Sequence, residues 1–174
     1  MLTKVRLLIR IVRQAKPYRV PTLDKDLIRD YDQVLKIAKS HQNQENPPSL
    51  VIDARPSARF TGAAAEPRKG LSSGHMPGAK NVPLLELFDQ QTGELYPDQQ
   101  LEEAFRRAGV DVSALRSSKT PSAKEVILSC GSGVTASGLY FVMEKLGVQR
   151  LAVYDGSWTE YASRPESIIV KDDQ

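Results

Sequence analysis

The stretch "EVILSCGSGVTASGLYFVMEKLG" holds the only cysteine of the chain, Cys130, between an apolar, β-branched run and a glycine-containing loop. Gly131 and Gly133 follow it directly. Without side chains at those positions, successive backbone N–H groups can turn to one side and form an anion-binding nest where a helix begins. The same donors and the helix dipole favour thiolate over thiol, and the thiolate is the nucleophile. Ser132, inside the loop, carries a hydroxyl suited to proton transfer. Free cysteines commonly pack as small apolar side chains, but the Gly-x-Gly loop after this one argues for chemistry. A protein phosphatase loop needs an arginine six residues after its cysteine to clamp phosphate through two parallel hydrogen bonds. Here that position is Ala136, which excludes phosphatase chemistry.

A chain of 174 residues with 40% hydrophobic content suits one domain around one core. No apolar run approaches the roughly 20 residues that span a bilayer, so a soluble protein without membrane partners is expected. A single cysteine cannot form an internal disulfide, which points to a reducing, intracellular compartment. The net charge of +3 is uneven, because "MLTKVRLLIRIVRQAKPYRV" carries six Lys or Arg and no acid. Residues 1–21 therefore read as a basic linker, a solvated helix or a mitochondrial targeting-like segment. Direct nucleic-acid binding is not expected there, since aromatic side chains that stack on bases are nearly absent. Residues 22–170 read as the single folded domain.

Which elements position the thiol? "TLDKDLIRDYDQVLKIAKS" carries Leu27, Ile28, Tyr31, Val34, Leu35 and Ala38 at helical spacing and predicts an amphipathic helix from Thr22 to Ser40. "HQNQENPP" breaks it, and His41 reads as a solvated loop residue. "SLVIDAR" predicts a buried strand with Asp53 and Arg55 at its C-terminal end. Residues 56–83 read as a long structured loop running into the short strand "AKNVPL". "DQQLEEAFRRAGV" predicts a helix capped by Asp98 and stopped by Gly109, and "LRSSKTPSAK" a polar connector. "EVILS" predicts a strand, "VTASGLYFVMEKLG" a helix ended by Gly147, "LAVYDG" a strand, and "SWTEYASRPE" a short helix. Alternating strands and helices imply an α/β fold, with a mostly parallel sheet covered on both faces. In such sheets sites form beyond the carboxyl ends of the strands, where Asp53, Cys130 and Asp155 fall.

"VIDARPSARFTG", "EPRKGLSSGHMPGAKNVPL", "LYP", "CGSGVTASG" and "YDGSWTEY", in this order, resemble the C-terminal, catalytic rhodanese domain of the mercaptopyruvate and thiosulfate sulfurtransferases. The likeness runs from about Thr22 to Tyr161 and looks strongest to fungal members, including those that feed sulfur to tRNA thiolation. It implies a rhodanese-like three-layer fold and double displacement through a persulfide on Cys130, cradled by the N–H groups of Gly131, Ser132, Gly133, Val134 and Thr135. Arg59 and Arg68 are implied as clamps on the substrate carboxylate and ketone, a role that guanidinium geometry suits. The alternative for either arginine is an ordinary salt bridge at the sheet end. Asp53 and Asp155 are implied as supports of the site, Trp158 as packing and His75 as a turn-ordering residue.

The neutral loop resembles the mercaptopyruvate branch, since the thiosulfate branch tends to carry Arg and Lys where Gly131 and Ser132 stand. The donor is thus expected to be 3-mercaptopyruvate or thiosulfate, and the acceptor thioredoxin, cyanide or a sulfur-carrier protein. No metal or organic cofactor is implied. Members of this branch carry two rhodanese domains, and a His and an Asp of the N-terminal one assist the loop serine. A second rhodanese domain or a homodimer is therefore an expected partner. The rival readings are a thiosulfate-preferring enzyme and a rhodanese-like module that only binds proteins, though the latter commonly lacks the cysteine. The resemblance leaves mitochondrion and cytoplasm both open.

Overall fold

Aliphatic residues at consecutive positions make two central strands that are buried from both sides: β2 (Ser49–Asp53) and β4 (Glu125–Ser129). They pair in parallel over their whole length, Ser49 with Glu125 through to Asp53 with Ser129. The computed structural model describes residues 20–22, 24–43, 45, 47, 49–117 and 124–172. Three shorter strands complete the sheet: β1 (Ile28–Arg29), β3 (Lys80–Asn81) and β5 (Leu151–Tyr154). The order is β1-β5-β4-β2-β3, and every pairing is parallel.

Alternation along the strands divides the core in two. Val51 and Ile127 face one side, where α1 (Tyr31–Gln42) brings Val34, Leu35 and Ala38, and α6 (Ser157–Tyr161) brings Trp158 and Tyr161. Ile52, Val126 and Leu128 face the other, against Leu101 and Phe105 of α3 (Asp98–Arg107) and Leu139, Val142 and Met143 of α5 (Val134–Lys145). Two short helices, α2 (Ser57–Phe60) and α4 (Val112–Ser117), sit in the connections. This is the three-layer α/β arrangement that the rhodanese resemblance implies.

The expected helix from Thr22 to Ser40 is corrected in its first half. The chain makes a 3-10 turn at Lys25–Leu27 and then strand β1, whose Ile28 pairs with Val153. The helix starts only at Tyr31, because Asp30 and Gln33 form a reciprocal capping box: each side chain accepts the other's backbone N–H, at 2.9 Å. Leu27 and Ile28 accordingly stay exposed instead of joining the apolar face of α1. Asp98 is the first residue of α3 and not its cap; Pro97 takes that place and no side chain caps the helix. The connector expected at "LRSSKTPSAK" begins as the end of α4, while residues 118–123 lie outside the described residues, as do residues 1–19 of the basic segment. His41 is no solvated loop residue. It belongs to the last turn of α1, and its ring packs so closely on Gly78 that a Cβ there would lie 2.3 Å from it.

The capping box is a local test of this account. Asp30→Ala should lower stability by about 1 kcal/mol, a drop in Tm of roughly 2–4 °C for a domain of this size. Thermal unfolding followed by circular dichroism reads it, and an unchanged Tm would show that the cap contributes nothing.

Candidate active site

β4 ends at Ser129, and Cys130 stands at its carboxyl end with 2% of its surface exposed. The chain then turns through Gly131 and Ser132 to Gly133, which caps α5 in the left-handed region, φ 85°. A Cβ at Gly133 would lie 2.9 Å from Asp155 Oδ1, so glycine is required for both backbone and space.

Helix α6 sets the orientation of this loop. Its first N–H groups have no partners within the helix. Trp158 N donates to Cys130 O at 2.9 Å and Thr159 N to Gly131 O at 3.0 Å. In a trans peptide the N–H points away from the C=O. Carbonyls drawn out toward α6 therefore turn the Gly131 and Ser132 N–H groups inward. Ser157 pins the loop at two more points, its Oγ accepting from Cys130 N and Gly133 N, both at 3.1 Å, and donating to Tyr154 O at 2.8 Å. Among the described residues Ser157 is the one non-glycine at positive φ, 50°. Such strain persists only where surrounding contacts enforce it.

Burial pushes the Cys130 thiol up, but hydrogen bonds from the Thr135 hydroxyl and from the Ser132 and Ala136 N–H groups outweigh it. The thiol is held below its ordinary value.

The wall facing the loop is built from charge. Arg55, 1% exposed, holds Asp53 through both carboxylate oxygens, donates to Gly74 O at 2.7 Å, and lies 3.9 Å over the Trp158 ring. Its remaining arm reaches Glu66 Oε1 at 2.7 Å, and Arg59 pairs with both oxygens of the same carboxylate. Two acids and two arginines thus neutralise one another under the site. Arg59 also abuts the loop, 3.4 Å from where a Gly131 Cβ would be. Arg68 is different: its side chain is exposed, and Nη1 donates to Thr159 Oγ1 at 2.6 Å.

A cavity of about 490 Å³ joins these groups. Cys130, Gly131, Ser132, Val134, Thr135, Arg59 and Arg68 all line it, with Leu84, Leu85 and Glu86 opposite. Gly133 is buried in the turn beneath. Asp53 lies behind the wall, bound to Arg55. Asp155 is brought to the far side of Gly133, where it lines a separate cavity with Leu27, Ile28 and Tyr140. His75 is built into the loop, its Nδ1 3.0 Å from Phe60 O and its ring stacked on Phe60. Glu66, the loop-pinning role of Ser157 and the contacts of Thr159 were not singled out from sequence. "AEPRKG" shows an acid among basic residues but not that it joins Arg55 to Arg59, and serine gives no sign of positive φ.

A parallel α/β sheet with a buried cysteine at a strand's carboxyl end, the Ser132 and Ala136 N–H groups turned to it and guanidinium groups lining the same cavity, defines a single-thiol α/β domain. The chain belongs to the rhodanese-like domain family, whose model matches residues 35–164. It is 40% identical over 124 residues to thiosulfate/3-mercaptopyruvate sulfurtransferase 1, mitochondrial, of Arabidopsis thaliana, covering 71% of this chain and 30% of that protein. To the 3-mercaptopyruvate sulfurtransferase of Escherichia coli K12 it is 40% identical over 127 residues, 73% of this chain and 40% of that one. The Tum1 protein of Saccharomyces cerevisiae superposes with a TM-score of 0.67 at 31% identity, over 85% of this chain and 48% of that one. The chain spans less than half the length of each.

The thiolate account has a direct check. Thr135→Val keeps the shape and removes the hydroxyl aimed at Cys130, so the thiol pKa should rise. Alkylation by iodoacetamide at pH 7 should slow by roughly threefold to tenfold, the scale of one ordinary net hydrogen bond. A rate profile against pH identical to wild type would contradict the assignment.

Proposed function

We propose that this domain is a sulfurtransferase that carries sulfur as a persulfide on Cys130, taking it from 3-mercaptopyruvate or thiosulfate. The observation that supports the reading is one cavity holding a thiol below its ordinary pKa, inward N–H groups around it, and Arg59 and Arg68 across from it. With 3-mercaptopyruvate, the Cys130 thiolate attacks the donor sulfur and the S–S bond forms as the C–S bond breaks. The electron pair leaves on carbon as the enolate of pyruvate, and the proton of the transferred sulfhydryl ends on that carbon. The Ser132 hydroxyl, exposed in the cavity, is positioned to relay it. With thiosulfate the sulfane sulfur is attacked and sulfite departs with the S–S electron pair. Either way an anionic persulfide remains, and the N–H ring that stabilises the thiolate suits it equally.

Arg59 and Arg68 meet the donor's carboxylate or sulfonate, with Arg59 held by both oxygens of Glu66 and Arg68, exposed, held by the Thr159 hydroxyl alone. A thiophilic acceptor, thioredoxin or a sulfur-carrier protein, then attacks the outer sulfur and restores Cys130. Leu85 and Val134 at the cavity mouth are 68% and 76% exposed, and Phe141, two turns along α5 from Val134, is 62% exposed. Apolar side chains beside a charged cavity fit a cover over the site, which we assign to a second rhodanese domain or a second copy of this one. A reducing compartment, cytoplasmic or mitochondrial, goes with a persulfide relay. Among the described residues no helix is long and apolar enough to cross a membrane.

Incubation of the protein with 3-mercaptopyruvate, and separately with thiosulfate, followed by intact mass, tests the reading. The expected result is a gain of one sulfur atom that reductant removes and that Cys130→Ser abolishes. No gain with either donor, also in the presence of the covering domain, would overturn it.

A further inference from the structure

The peptide between Gly131 and Ser132 is held from one side by a single residue. Gly131 O accepts from Thr159 N at 3.0 Å and from Thr159 Oγ1 at 2.5 Å. The Ser132 N–H lies on the opposite edge of that peptide, turned from α6 toward the Cys130 side of the loop, where it helps hold the thiol below its ordinary value. Thr159 Oγ1 in turn accepts from Arg68 Nη1 at 2.6 Å. A guanidinium has donors only and a hydroxyl has one proton. With Arg68 in place, the Thr159 proton can go only to Gly131 O. Arg68, Thr159, the Gly131–Ser132 peptide and the Cys130 sulfur therefore form one line of hydrogen bonds that all point the same way, the arrangement in which each bond strengthens the next.

We infer that Thr159 is a positioning residue for sulfur transfer, one that transmits the state of Arg68 to the Ser132 N–H facing the Cys130 sulfur. While Arg68 rests on Thr159, the peptide is fully polarised and the thiolate is at its most stabilised. When an anionic donor draws Arg68 into the cavity, which rests on the function proposed above, the hydroxyl loses its donor and the N–H on sulfur weakens. Other charges face the loop: Arg55 and Arg59 from the long connection, Glu86 from the turn after β3, and Asp155 behind Gly133. Among the described residues, Arg68 is the one whose side chain bonds the Thr159 hydroxyl.

The test is a double-mutant cycle run without any donor, so that it does not depend on the sulfur-transfer reading, whose own failure would appear separately as absence of persulfide. Cys130 alkylation is followed against pH in wild type, Thr159→Val, Arg68→Ala and the double variant. Thr159→Val should raise the thiol pKa and slow alkylation at pH 7 about two- to fourfold, the increment expected for one bond in a cooperative chain. Thr159→Ser should restore the wild-type profile. Arg68→Ala should act alone but add nothing in the Thr159→Val background. Two results would overturn the inference: a wild-type profile in Thr159→Val, or an Arg68→Ala effect of equal size in both backgrounds, which is direct electrostatics. Thr159→Ala, which keeps the backbone N–H, replaces Thr159→Val in the cycle if that variant does not fold.

Discussion

Everything at this site depends on which way two peptide groups face. The first turn of α6 has N–H groups with no helical partner, and the turn after Cys130 has carbonyls with no strand partner. Each satisfies the other through Trp158 N to Cys130 O and Thr159 N to Gly131 O. Because a peptide is planar and trans, using the carbonyls on the outside commits the N–H groups to the inside. The anion cradle is thus not a separate device added to the loop. It is the other face of the bonds that dock α6 against the carboxyl end of β4. Glycines at 131 and 133 leave room for it, and the strained backbone of Ser157 is maintained because its hydroxyl closes three bonds at once.

The opposite wall answers a different problem, that of putting several charges beside a buried thiolate. Asp53, Arg55, Glu66 and Arg59 form a chain of alternating sign whose formal charges cancel. Arg55 is nearly inaccessible and engaged at every arm, so removing it would leave buried carboxylates uncompensated, the costly half of any buried ion pair. The network spends its charge on rigidity, holding the long connection after β2 against the sheet and the Trp158 ring. Among the described cations that line the cavity, that leaves Arg68, outside the cluster and near solvent, as the one with no acid partner. An arginine locked by Glu66 and an exposed one held by a single hydroxyl thus flank the same cavity.

Much of the fold was legible in the sequence, because β4 and α5 announce themselves through "EVILS" and the period of "VTASGLYFVMEKLG", with glycines at the breaks. The first helix misled, since Leu27 and Ile28 continue the apolar spacing of α1 while belonging to a turn and an edge strand. There the capping box of Asp30 and Gln33 outweighs the apolar spacing that Leu27 and Ile28 continue. At the site, Cys130 and its glycines were readable because thiol chemistry demands that pattern. The resemblance to a family named Arg59 and Arg68, and the fold brings both to the thiol's cavity. Glu66 and Thr159 were not readable. Their roles exist only through contacts with residues 7 and 11 positions away for Glu66, and 28 and 91 away for Thr159, which no local spacing encodes.

The claim on which the account turns is that the loop N–H groups point at the Cys130 sulfur and hold its negative charge. Amide chemical shifts from ¹⁵N–¹H spectra, followed as pH is raised through ionisation of the thiol, test it most directly. The Ser132 and Ala136 amides should move downfield together with one midpoint, on the acid side of an ordinary thiol's, and both changes should vanish in Cys130→Ser. Loop amides that stay fixed while the thiol ionises would mean that the sulfur lies outside the cradle, and the account would be wrong at its centre.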